Sequence, residues 1–117
     1  MSKKILLVDD NQDAIEIMAL LLEADGHDVR QALNGEAALE IVQTFTPQLA
    51  FIDWRLPGMD GPEVLRRLKL LPALGGTRFL AFSGYGGPEW SKAAVDAGFE
   101  TLITKPVFPE QLAEYLR

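Results

Sequence analysis

Short apolar runs without polar interruption alternate with stretches in which apolar residues recur every three or four positions, from one end of the chain to the other. Ile5-Leu6-Leu7-Val8 is such a run, and it fits a parallel strand covered on both faces. A helix is predicted over Gln12 to Asp25, where Ile15, Met18 and Leu22 fall at helical spacing with Ile17 and Leu21 beside them, and Gly26 ends it. A weaker strand over Asp28 to Ala32 precedes an Asn34-Gly35 turn. The next helix carries Ala38, Ile41, Val42 and Phe45 on one face until Pro47 stops it. Leu49 to Ile52 reads as a third strand, Pro57, Gly58 and Gly61 mark a loop, and Val64, Leu65, Leu68 and Leu71 define a third helix. Phe79 to Phe82 is the fourth strand. Gly84, Gly86 and Gly87 make a flexible connection, and Pro88 opens a helix that runs to about Ala97. Leu102-Ile103 belongs to a fifth strand, and Leu112 and Leu116 sit on a short last helix.

Five βα units in succession predict an α/β fold of three layers, a parallel sheet with helices on both faces joined by right-handed crossovers. In such doubly wound sheets, sites lie beyond the carboxyl ends of the strands, where the strand order reverses. Asp9 and Asp10 follow the first strand, Asp53 the third, Ser83 the fourth and Lys105 the fifth, while the second ends in Ala32-Leu33-Asn34 with no comparable chemistry. A sheet order of 2-1-3-4-5 puts the featureless tip at the far edge and gathers the other four around one cleft.

The chemistry of that cleft follows from crowding. Three carboxylates at neighbouring strand tips repel one another unless one is protonated or a cation sits among them. Oxygen ligands with room for waters suit Mg²⁺, or Mn²⁺ in its place. Lys105 supplies a fixed positive charge and Ser83 a hydroxyl donor for a phosphoryl group, and a carboxylate such as Asp53 can itself accept that group. Each residue also has a plainer reading. Asp10 or Asn11 caps the first helix, Ser83 before Gly84 is a turn serine, and Lys105 is a solvated surface lysine. Asp53 resists such a reading, because it ends a buried apolar strand and has no cap to make. Four occupied tips and one empty one favour a shared site.

Composition narrows the field. The chain's 117 residues, 48% of them apolar, suit one domain over residues 1–117 with one core. The absence of cysteine excludes disulfides and thiolate metal sites and fits a reducing, cytoplasmic setting. A net charge of −6 with no basic stripe argues against nucleic-acid binding. No apolar run approaches the ~20 residues of a membrane span. Met-Ser-Lys-Lys before Ile5 imitates a signal peptide only until Asp9 and Asp10 interrupt it, with no cleavage site beyond.

The sequence resembles the receiver domain of two-component response regulators, the CheY-like family, over essentially its whole length. The resemblance rests on Ile5-Leu6-Leu7-Val8-Asp9-Asp10, on Asp53 with Leu56-Pro57-Gly58-Met59-Asp60-Gly61, on Ser83-Gly84 and on Lys105-Pro106. It implies a flavodoxin-like fold and a phosphorelay role: Asp53 accepts a phosphoryl group from a phosphohistidine on a sensor histidine kinase or histidine phosphotransfer protein. It further implies that Asp10, Asp53 and the Arg55 backbone carbonyl coordinate Mg²⁺, with Asp9 acting through a metal-bound water. Lys105 would pair with the phosphoryl group, Ser83 would swing its hydroxyl toward it, and the Lys105–Pro106 bond would be cis. Such a domain is a slowly self-dephosphorylating switch rather than a turnover enzyme. Its output partner would meet the face of the fourth helix, fifth strand and fifth helix.

Three positions depart from the family pattern. Leu102 stands where many receivers carry the aromatic ring that rotates on activation, so coupling is expected to run through Ser83 and backbone shifts. Arg55 is larger and more basic than is common two residues after the acceptor, and is expected to shield the phosphoryl group or to form a salt bridge across the cleft. Trp54 is expected to pack, and Trp90 likewise, since it begins an Ala93, Ala94, Ala97 stripe. Ser83-Gly84-Tyr85-Gly86 with Ala97-Gly98-Phe99 is similar to receivers attached to hybrid sensor kinases, and Gly84 and Tyr85 are expected, with Arg55 and Leu102, to modulate the site. Rival readings fare less well. A haloacid-dehalogenase-type phosphatase needs an acidic residue where Arg55 stands, and a flavodoxin-type flavin site would not tolerate Asp9-Asp10-Asn11-Gln12-Asp13 around a phosphate. A receiver-like interaction module that is never phosphorylated is the remaining alternative, although the full set of pocket residues is kept.

Overall fold

The computed structural model describes residues 2–116. Strands β1 (Lys4–Val8), β2 (Asp28–Ala32), β3 (Leu49–Asp53), β4 (Arg78–Ser83) and β5 (Leu102–Thr104) form one parallel sheet in the order β2-β1-β3-β4-β5. Helices α1 (Gln12–Ala24), α2 (Gly35–Ile41), α3 (Gly61–Lys69), α4 (Pro88–Ala97) and α5 (Pro109–Leu112) alternate with them. Side chains of a strand point to opposite faces in turn, so each strand feeds two cores. Leu6, Val8, Ala50, Ile52 and Ala81 pack with Ala38, Val64, Leu65, Leu68 and Ala94 on the side of α2, α3 and α4. Ile5, Leu7, Phe51, Leu80 and Phe82 pack with Ile15, Met18, Leu22 and Leu112 on the side of α1 and α5. No helix among the described residues is long and apolar enough to cross a membrane.

The first three helices begin where the sequence supplies a side-chain acceptor. Asn11 caps α1 by accepting from the Ala14 N–H at 3.1 Å, Asn34 caps α2 through the Ala37 N–H at 2.8 Å, and Asp60 caps α3 through the Glu63 N–H at 3.0 Å. Of the two candidate caps for the first helix, Asn11 takes the role.

Several expected boundaries move. The second helix stops at Ile41, and Phe45 lies beyond it yet stays buried. After Ile41 the backbone tightens into three-residue turns, with Gln43 N–H to Glu40 and Thr44 N–H to Ile41, because Thr46 precedes a proline and cannot stay helical. Leu71 is extended (φ −88°, ψ 118°) for the same reason, so it leaves the third helix, and Pro72–Leu74 forms a 3₁₀ turn. Leu116 lies past the end of α5, although it packs against the α1-side core. Ile17 and Leu21 are exposed, at 59% and 43%, and with Phe108 they line an apolar groove of about 600 Å³ between α1 and the β5–α5 connection.

Strand register positions the tips. Val8 lies opposite Ile52, Asp53 opposite Phe82 and Ser83 opposite Thr104. Asp53 and Ser83 are thus the last residues of their strands rather than the first residues after them. Backbone bonds continue the ladder beyond the strand ends, from Trp54 N–H to Phe82 at 2.8 Å and from Lys105 N–H to Ser83 at 2.7 Å.

Candidate functional site

The register brings the tips of β1, β3, β4 and β5 side by side, with Asp9, Asp10, Asp53, Ser83 and Lys105 around one cleft. One carboxylate oxygen from each of Asp9, Asp10 and Asp53 lies within 4.8 Å of the others. Asp9, Asp53 and Ser83 are buried, whereas Asp10 faces solvent. The Lys105 Nζ donates to Asp9 Oδ2 and to Asp53 Oδ2, each at 2.9 Å. Asp9 also accepts from the Asn11 N–H at 3.0 Å through its other oxygen, so both of its oxygens are engaged.

Burial and charge oppose one another here. Desolvation pushes the Asp53 carboxyl above its ordinary value, and the hydrogen bond and charge of Lys105 pull it back without cancelling the rise, to which the Asp9 charge adds. Burial works against the Lys105 ammonium, but its hydrogen bonds and attraction to Asp53 and Asp9 outweigh that cost and hold its pKa above the usual lysine value. With all groups ionised, three carboxylates against one ammonium leave a net charge of two negatives in the cleft. The donor set contains only hard oxygens, and Asp10 opens to water on one side. A divalent cation such as Mg²⁺ or Ca²⁺ fits that charge and that chemistry.

Gly61 explains why the loop after β3 closes down on the site. Its N–H donates to the Trp54 carbonyl at 2.9 Å, and a Cβ there would come within 2.9 Å of the Trp54 Cα and strike the Asp53 carbonyl oxygen. Only a residue without a side chain lets α3 start this close to the strand tip.

On the β4 side, Ser83 Oγ accepts from the Tyr85 N–H at 3.0 Å. The Lys105–Pro106 peptide bond is cis. Leu102 is partly buried against the α3–α4 core. Trp54 packs as expected, partly buried against that core, with its ring 6.0 Å from that of Phe99. Trp90 does not enter the core. It is half-buried, because α4 turns only Ala94 fully inward and leaves Ala97 exposed. Its ring stacks on Tyr85 at 5.1 Å and 20° and meets the edge of Trp54 at 6.2 Å. The Arg55 guanidinium lies 5.2 Å from the centroid of the Tyr85 ring and, among the described residues, forms no ion pair. An Arg55–Tyr85–Trp90–Trp54 stack therefore flanks the cleft. Periodicity gives no sign of it, since it joins two loops and a helix; the only trace in the sequence is an aromatic residue set among glycines.

Known proteins show the same arrangement of chain. A family model described as the response regulator receiver domain matches residues 5–117. The chain is 30% identical over 117 residues to sporulation initiation phosphotransferase F of Bacillus subtilis, covering all of this chain and 93% of that protein. It is similar in structure to a CheY-like response regulator receiver domain from Methanospirillum hungatei, with a TM-score of 0.86, 31% identity and coverage of 99% and 91% of the two chains. A response regulator from Burkholderia pseudomallei, solved with a phosphorylated aspartic acid, a calcium ion and citrate, superposes with a TM-score of 0.87 at 27% identity, covering 98% of this chain and 66% of that one.

Proposed function

The chain belongs to the response regulator receiver family, and from that premise we propose that Asp53 accepts a phosphoryl group from a phosphohistidine of a sensor histidine kinase or histidine phosphotransfer protein. The observation that carries the reading is the Lys105 ammonium held 2.9 Å from both Asp9 and Asp53 at the rim of a three-carboxylate cluster. No solvated surface lysine is held in that way.

In the transfer, an Asp53 carboxylate oxygen bonds to phosphorus as the phosphorus–nitrogen bond of the donor breaks, and the imidazole departs with the electron pair. Lys105 stays beside the new acyl phosphate and meets its added charge. Ser83, whose Oγ here accepts from the Tyr85 N–H, would turn its hydroxyl to donate to a phosphoryl oxygen. Asp10, Asp53 and the Arg55 carbonyl would hold Mg²⁺, which when bound neutralises charge on the transferring group. Asp9, with both oxygens already engaged, suits a role through water. Arg55 covers the cleft beside Tyr85 and slows hydrolysis of the aspartyl phosphate, and an Arg55→Ala variant whose phosphate decays no faster contradicts that role. Residues 1–117 act as one receiver domain in the cytoplasm, a switch whose α4–β5–α5 face meets the output partner.

The test is incubation with Mg²⁺ and either acetyl phosphate or a phosphorylated histidine kinase. A mass gain of one phosphoryl group, stable in acid, labile in base, lost with a chelator and absent from Asp53→Asn supports the reading. A folded protein that gains nothing is instead an interaction module.

A further inference from the structure

We infer that the Tyr85–Trp90 stack, rather than a side chain of β5, carries the state of Ser83 to α4; this rests on the phospho-acceptor reading above. Ser83 Oγ accepts from the Tyr85 N–H at 3.0 Å. A hydroxyl turned toward a group on Asp53 gives up that bond, and the Tyr85 N–H must find another partner. The loop therefore moves with Ser83.

Tyr85 cannot move alone. Its ring touches the Arg55 guanidinium and stacks on Trp90 at 5.1 Å, so a shift of the loop either draws Trp90 along or breaks the stack. Trp90 is the third residue of α4. That helix is lightly held, since Ala94 is its one fully buried residue, against four each for α1 and α3. Few buried contacts mean a low cost of displacement. The other end of the stack is Trp54, whose backbone follows the acceptor directly. The stack thus links the residue beside the acceptor, the residue two beyond the hydroxyl and the first turn of the helix.

The β5 route lacks the parts. Leu102 is aliphatic and packed against the core, with no ring to exchange between an inward and an outward position. The loop, in contrast, is built to sit close and still move. A Cβ on Gly86 would come within 2.8 Å of Thr104 Oγ1, whereas Gly84 and Gly87 have open space around theirs.

The experiment compares amide hydrogen exchange across α4 with and without Mg²⁺ and beryllofluoride, a phosphoryl mimic whose binding is read separately by its fluorine resonance. In the wild type, exchange in α4 changes by about fivefold or more on binding. Tyr85→Ala still shows the bound fluorine resonance, but its α4 response falls below about twofold. Trp90→Leu behaves alike, while Tyr85→Phe and Leu102→Ala respond as the wild type does. A full α4 response in Tyr85→Ala with the mimic bound overturns the relay. So does a wild type that binds the mimic and leaves α4 unchanged. A wild type with no bound fluorine resonance overturns the phospho-acceptor reading and takes the relay with it.

Discussion

Every side chain of β3, from Leu49 to Asp53, is buried, whereas α4 buries one of its ten residues. The two regions meet at the same cleft. β1 and β3 fix the carboxylates in the middle of the sheet, where Phe51 stacks on Phe82 at 5.3 Å beneath them. The β4–α4–β5 side supplies Ser83, the last residue of β4 before a glycine-rich loop, and Lys105, the residue that follows a strand of only three. Groups that must hold their spacing under mutual repulsion stand on the stiff region. Groups that respond to a change of charge stand beside the light one.

The widest separation between the two regions is expected in stability. Phe51→Ala removes a fully buried ring and costs about 3–5 kcal/mol, read from urea denaturation. Val95→Ala, at a position 56% exposed on α4, stays within about 0.5 kcal/mol. Similar losses at the two positions would erase the distinction.

Lys105 ties the two regions together, and its side chain is 31% exposed. Lys105→Ala leaves Asp9 and Asp53 unpaired and lowers stability by about 1–2 kcal/mol after solvent screening. Added Mg²⁺ then raises the melting temperature of the variant more than that of the wild type, because the carboxylates have lost their internal cation. The folded pKa of Lys105 is raised, so its stabilising contribution is complete below the ordinary lysine value of 10.5 and fades as pH climbs through the folded value. The gap between wild type and variant therefore closes in strongly alkaline solution.

The stiff region also carries a cost that a substitution can remove. Asp53 titrates above its ordinary value of 3.8, chiefly because it is buried, so its charged form opposes folding at neutral pH. Asp53→Asn is expected to melt a few degrees higher than the wild type at pH 7. The advantage shrinks as pH falls through the folded pKa and is gone below 3.8, where the carboxyl is neutral in both folded and unfolded chains. A variant that melts lower at pH 7 would mean that Lys105 dominates the balance.

The smallest effect belongs to the light region. Tyr85→Ala gives up one stacked pair and one cation–π contact at an exposed position, about 0.5–1 kcal/mol in a thermal melt. A loss of several kcal/mol would show that the loop is structural rather than poised.

The strand tips were readable from sequence because parallel strands announce themselves as apolar runs, and the residue that ends each run is conspicuous. The order of the sheet is legible in the one tip, Ala32-Leu33-Asn34, that has nothing to contribute to the cleft. What escaped was set by contacts distant along the chain. Ile17 and Leu21 sit at core spacing yet face a groove, because the neighbouring β5–α5 connection does not close over them. Phe45 and Leu71 continue an apolar pattern beyond the last helical turn, because the prolines at 47 and 72 end helical geometry before they are reached. Trp90 looked like the start of a buried stripe, and only the position of Tyr85 shows that its ring belongs beside the cleft.

The most direct measurement locates the modified atom. After exposure to Mg²⁺ and acetyl phosphate, borohydride reduction converts an aspartyl phosphate to homoserine, and peptide mapping reads where the change falls. Homoserine is expected at position 53 and nowhere else. Homoserine at position 9 or 10, or none in a folded protein, would contradict Asp53 as the acceptor.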